Sequence, residues 1–244
     1  MKTIALLIST VLLAGALSAQ PTGNEILDRI DANMSSETRY FKSKMIIHGA
    51  RYSRTIESQS WAEGDQKAYT EYLAPAREQG TKMLKLGDQL WIYSPGTDRT
   101  IQISGHMLRQ SVMGSDLSYE DMMDDPNLRN KYDAVVVGSE TIEERDAWIV
   151  EMHAKSDDVT YQSVKLWVDK TRYIPLRQEL YAKSGKLLKQ TELSGIEQIE
   201  GRWYPRKIVF KDMLKQGEGT EFIIDEIQFN IEIPEHLLTK AALR

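Results

Sequence analysis

The sequence predicts a mainly β protein, a single curved antiparallel sheet curled into an incompletely closed barrel with helices covering it. Three observations carry this expectation. Apolar residues recur with period two over nearly everything after Ser35, and short turns such as Gly64-Asp65, Gly87-Asp88, Pro95-Gly96, Ser184-Gly185 and Glu200-Gly201 divide that pattern into runs. One amphipathic helix precedes the runs, and one long segment interrupts them.

The chain opens with Met1-Lys2, an apolar run from Ile4 to Ala16, and Leu17-Ser18-Ala19-Gln20. This is the layout of a secretory leader, with cleavage expected after Ala19. The run is too short to span a bilayer comfortably. Position 20 is glutamine, so no cysteine is there to be acylated, and with none in the whole chain disulfides and thiolate metal sites are excluded. Residues 20–244 are enough for one sizeable domain. The formal charge of −5 is spread along the chain and not blocked, which argues against nucleic acid and against a polybasic membrane-binding face.

The helix is predicted over Gly23 to Met34: Thr22 and Glu25 have capping-box spacing, and Ile26, Leu27, Ile30 and Met34 share one face. Strand-like runs follow near 39–48, 52–62, 66–73, 81–86, 89–94 and 98–103. Others come near 133–142, 146–155, 160–169, 174–183, 186–198, 203–212 and 220–231. Such a meander must curl or fold over to protect its edges. The interruption, Ser104 to Lys131, is too long for a hairpin loop. Ser118 and Asp121 have the spacing of a helix cap, acids from Glu120 to Asp125 suit a first turn, and Pro126 ends it. A segment of this kind over a curved sheet stands where a lid would be.

The stretch from Pro75 to Asp125 is the most suggestive chemically, and it does not look catalytic. Leu84, Leu86, Leu90, Trp91, Ile92, Tyr93, Ile101 and Ile103 offer an apolar surface, and Met107, Leu108, Val112, Met113, Met122 and Met123 add adaptable side chains that repack around varied apolar ligands. Trp148 and Trp167 join the candidates for a lipid-binding cavity, since tryptophans in strand runs suit cavity lining and core packing equally. His48, His106, His153 and His236 are scattered without ligand spacing, and Gly114-Ser115-Asp116 lacks the flanks of a nucleophile elbow. The acids Asp116, Glu120, Asp121, Asp124 and Asp125 miss the spacing of a calcium loop and read as a capped, solvated helix start. No cofactor and no metal are expected, and the protein is not read as an enzyme.

The order Leu90-Trp91-Ile92-Tyr93-Ser94-Pro95, Arg99, Ile103-Ser104 and Met113-Gly114-Ser115-Asp116-Leu117-Ser118-Tyr119-Glu120-Asp121 resembles the outer-membrane lipoprotein-sorting family, the LolA-like periplasmic carriers. Leu166-Trp167-Val168-Asp169, Pro175-Leu176, Trp203-Tyr204-Pro205 and the stretch from Thr220 to Asn230 extend the resemblance over most of the chain. It implies a curved half-barrel of about eleven antiparallel strands with a helical lid over a hydrophobic cavity. In such carriers a basic residue of the sheet latches the lid, here one of Arg51, Arg54, Arg77 or Arg99. The resemblance further implies a monomeric periplasmic carrier that takes the acyl chains of a lipoprotein or lipid from an inner-membrane transporter towards the outer membrane. The alternative of another class is a sensor or docking module on the same fold, its cavity plugged by bulky side chains.

Overall fold

The computed structural model describes residues 20–49, 51–124 and 127–243. The expected leader, Asp125 and Pro126 lie outside the described residues. The first helix, α1, spans Gly23–Met34 as its spacing predicts, with both halves of the Thr22/Glu25 capping box formed. Its apolar face buries Ile26, Leu27 and Ile30, each side chain worth about 1.5–3 kcal/mol when removed from water.

The strands are β1 (Thr38–His48), β2 (Ser53–Glu63), β3 (Lys67–Ala74), β4 (Lys82–Leu86), β5 (Gln89–Ser94), β6 (Arg99–Ile103), β7 (Tyr132–Ile142), β8 (Arg145–Ala154), β9 (Ser163–Asp169), β10 (Pro175–Tyr181), β11 (Leu187–Ile199), β12 (Arg202–Asp212) and β13 (Thr220–Phe229). Among the described residues they form one open antiparallel sheet of thirteen strands, ordered β6-β5-β4-β3-β2-β1-β13-β12-β11-β10-β9-β8-β7. The count of eleven implied by the resemblance is therefore corrected. Each of the thirteen period-two runs became a strand, because each has a hairpin neighbour to pair with.

Two meanders, β1 to β6 and β7 to β13, meet at the β1/β13 pair, which leaves β6 and β7 as opposite edges. The chain between them therefore has to travel the width of the sheet. It does so as short 3-10 turns at Gly105–Arg109 and Val112–Gly114, α2 (Tyr119–Met123) and α3 (Leu128–Lys131). The covering layer is thus mostly turns and one-turn helices, less helical than expected.

The register separates the two faces. On one face Phe41, Ser60, Thr70, Met83, Ile92 and Ile101 are paired in sequence across β1 to β6; on the other, Tyr40, Trp61, Tyr69, Leu84 and Trp91 are paired across β1 to β5. The crossing segment packs on the first face, placing Met107, Leu108, Met113, Leu117 and Met123 against Met83, Leu90, Ile92 and Ile103. On the β7 to β9 half of that face α1 is the cover, over Tyr132, Trp148, Val150, Met152 and Leu166. Gly23 is required there, since a Cβ would lie 2.3 Å from the Ala134 carbonyl oxygen. The second face is closed over β3 to β5 by the C-terminal 3-10 turns, Glu235–Leu238 and Lys240–Leu243, with Leu238 and Leu243 buried against Tyr69, Leu84 and Trp91.

Candidate functional site: a roofed apolar pocket at the seam of the sheet

Between the crossing segment and the β1/β13 seam lies a pocket of about 300 Å³. Its floor is Phe41, Met45, Ile56, Ser58, Ser60, Thr70 and Tyr72 from β1 to β3, with Ile208, Phe210 and Phe222 from β12 and β13; its roof is Val112, Leu117, Asp121 and Met122. The volume lies at the low end of the ~300–1,000 Å³ usual for small-molecule sites. With the roof in this position the space has room for one slender apolar group.

The roof is pinned at several points. The Arg54 guanidinium on β2 donates to the Met113 carbonyl, so Arg54, one of the four arginines expected as a latch, meets the roof. Met113 itself has left-handed φ of 51°, and a Cβ on the next residue, Gly114, would stand 2.9 Å from an Arg54 nitrogen. At the seam the Thr220 hydroxyl donates to Asp116 at 2.8 Å, and the Asp212 amide donates to its other oxygen at 3.0 Å. Lys215 donates to Ser111 Oγ at 2.6 Å and to the Ser115 carbonyl at 2.8 Å, and Lys85 to the Met123 carbonyl at 3.0 Å.

Asp121 is the node between roof and sheet. As third residue of α2 it accepts from the Ser118 amide and hydroxyl, both at 2.7 Å, completing a capping box. From below it accepts the Tyr161 hydroxyl at 2.5 Å and the ammonium of Lys189 on β11. Burial opposes its ionisation, but the Lys189 charge and these hydrogen bonds outweigh it and hold the carboxyl below its ordinary range. Burial, together with the same carboxylate, pushes the Tyr161 hydroxyl strongly up, so Tyr161 stays a neutral donor.

The other acids of the roof have partners of their own, Glu120 with Thr160 and Asp124 with Lys131. Among the described residues no group of three or more His, Asp or Glu is arranged to hold a metal.

Of the residues proposed from sequence, Val112 and Met122 line the pocket, while Met107, Leu108, Met113, Met123 and Ile103 form the packed layer beside it. Ile101 is on the same face but half-exposed on the edge strand. Leu84, Leu86, Trp91 and Tyr93 lie on the opposite face beneath the C-terminal turns. Trp148 is packed under α1. Trp167 is also on the far face, where its indole N–H donates to Glu140 at 2.7 Å. Trp148 stays on the pocket's face but lies beneath α1 on the β7 to β9 half, and the other five do not line the pocket because alternation along each strand sends neighbouring side chains to opposite faces. The floor residues of β1, β2, β12 and β13 were missed. They carry the same alternation, but the β1/β13 pairing that brings them together joins the two ends of the chain.

With this geometry the fold is LolA-like. A DUF1329 family protein of Desulfovibrio piger superposes with a TM-score of 0.82 at 24% identity, over 91% of this chain and 98% of that one. A putative outer membrane lipoprotein-sorting protein domain of Vibrio parahaemolyticus gives 0.78 at 23%, over 91% and 97%. A LolA superfamily protein of Nitrosomonas europaea gives 0.75 at 24%, over 91% and 100%. A family model described as "Uncharacterized protein" matches residues 64–244, and the chain belongs to that family. No curated protein matches it.

Proposed function

We propose that the protein is a periplasmic, non-enzymatic carrier that holds an acyl chain of a lipoprotein or lipid in the seam pocket, on its way from an inner-membrane transporter to the outer membrane. The observation that carries this reading is the pocket itself, a largely apolar space under a roof held by hydrogen bonds and ion pairs as well as by apolar packing. Hydrogen bonds and ion pairs can be exchanged with water when the roof lifts, whereas a covalent or fully packed cover could not be.

Burial of an acyl chain at about 0.8 kcal/mol per methylene gives on the order of 10 kcal/mol, enough to hold it during passage through water. Release then requires the pocket to close or a receptor to bind more tightly. A cargo with several chains exceeds the present volume, so its entry would move the roof and break the contacts at Met113 and Asp121. The relative described as an outer membrane lipoprotein-sorting domain supports this reading by its fold. The docking-module alternative draws on the other half of the same face, which α1 and Trp148 fill; the open seam favours a carrier.

The test is titration of the mature protein with a fluorescent fatty acid and with acylated lipoprotein peptides. Saturable binding with one site per chain is expected, and failure of every acyl species to bind would refute the carrier reading.

A further inference from the structure

The pocket floor is not uniformly apolar. Ser58, Ser60 and Thr70 stand side by side on β2 and β3, with Ser43 beside the first of them on β1. They are joined in two pairs, Ser43 Oγ to Ser58 Oγ at 3.1 Å and Ser60 Oγ to Thr70 Oγ1 at 2.8 Å. Ser43, Ser58 and Ser60 are 2%, 9% and 4% exposed. Each pair of hydroxyls uses one proton between its members. The second proton of each pair has no acceptor among the described residues. Buried hydroxyl protons without acceptors cost free energy, and a hydrocarbon chain above them would not relieve it.

We infer that this hydroxyl patch binds the carbonyl oxygen of a neutral fatty-acyl ester, so that the pocket distinguishes an ester-linked chain from hydrocarbon alone. The inference rests on the carrier reading and specifies its ligand. The charge of the pocket favours a neutral ligand. Its lining contains no lysine or arginine, and its one ionisable acid, Asp121, is a carboxylate already engaged by Ser118, Tyr161 and Lys189. A free carboxylate head would find no cation there and would face a like charge. An ester carbonyl accepts two hydrogen bonds and carries no charge, which matches two spare donors on adjacent strands.

The experiment is displacement of a bound fluorescent acyl probe by palmitoylglycerol, by the corresponding hexadecyl ether of glycerol, and by palmitate, with the wild-type protein and a Ser58→Ala/Ser60→Ala variant. One or two hydrogen bonds predict that the ester displaces the probe at roughly 3- to 10-fold lower concentration than the ether. The variant should reduce that ratio to near one. Equal displacement by ester and ether in the wild type would overturn the inference and leave the carrier reading standing, as would preference for palmitate. The wild-type comparison does not depend on how the variant folds. Displacement by no competitor and no probe binding would remove the carrier reading as well. Dipalmitoylglycerol and a diacylglyceryl-cysteine peptide share the ester, and the one acting at lower concentration identifies free lipid or lipoprotein as its source; failure of both to displace would count against the inference.

Discussion

Lys189 on β11 and Asp121 on α2 form an ion pair between the sheet and the roof, with side chains only 17% and 14% exposed. Tyr161 donates to the same carboxylate, so a single acid both caps α2 and fastens it to the β7 to β13 half of the sheet. Removing such an acid leaves a mostly buried ammonium without its partner, which is costlier than losing the pair's own attraction. Asp121→Asn is expected to destabilise the protein by about 2 kcal/mol or more, measured as a lowered urea midpoint. Hydrogen exchange should quicken over residues 105–123 more than over α1.

Acid should act through the same residue. The Asp121 carboxyl is held below its ordinary value of 3.8, so its contribution is fully present above that value and is lost as pH falls through the lower, folded value. The stability difference between wild type and Asp121→Asn is therefore expected to be flat from neutrality to about pH 4 and to shrink below it. Asp169, also held low by hydrogen bonds from Thr171 and Arg172 that outweigh its burial, contributes equally to both proteins and cancels in the difference.

The β2 side of the roof depends on Gly114, whose φ is +73°. Gly114→Ala combines an unfavourable backbone conformation with a Cβ crowding Arg54, a cost of about 1 kcal/mol or more. Both Gly114→Ala and Arg54→Ala should loosen the roof and speed release of a bound acyl probe in stopped-flow measurements, by roughly fivefold for 1 kcal/mol.

The assignment of faces predicts which aromatics matter. None of the five tryptophans lines the pocket. Trp91→Phe and Trp167→Phe should leave acyl binding unchanged, whereas Phe210→Ala should weaken it roughly tenfold, for a loss of about 1–2 kcal/mol of apolar contact. Equilibrium titration of the three variants checks this.

Much of the fold was legible because its signals are local. The capping residues Thr22 and Ser118 accept from amides three residues on, and strand-like runs separated by short turns mark the strands. The site was legible only in its roof. Val112 and Met122 could be suspected from an apolar, Met-rich segment, but Trp91 and Ile92 are adjacent in sequence and lie on opposite faces, and nothing local says which face is roofed. That is decided by the β6-to-β7 crossing and the β1/β13 seam, both long-range. Phe41 and Phe210, distant in sequence, meet only because of that seam.

The most direct measurement is photo-crosslinking of an acyl chain bearing a photoreactive carbon, followed by peptide mass spectrometry. Crosslinks on peptides containing Ile56 to Ser60, Tyr72, Met122 or Phe210 are predicted. Crosslinks confined to the far face around Trp91 and Trp167, or none that an unlabelled acyl competitor suppresses, would contradict a cargo pocket at the seam.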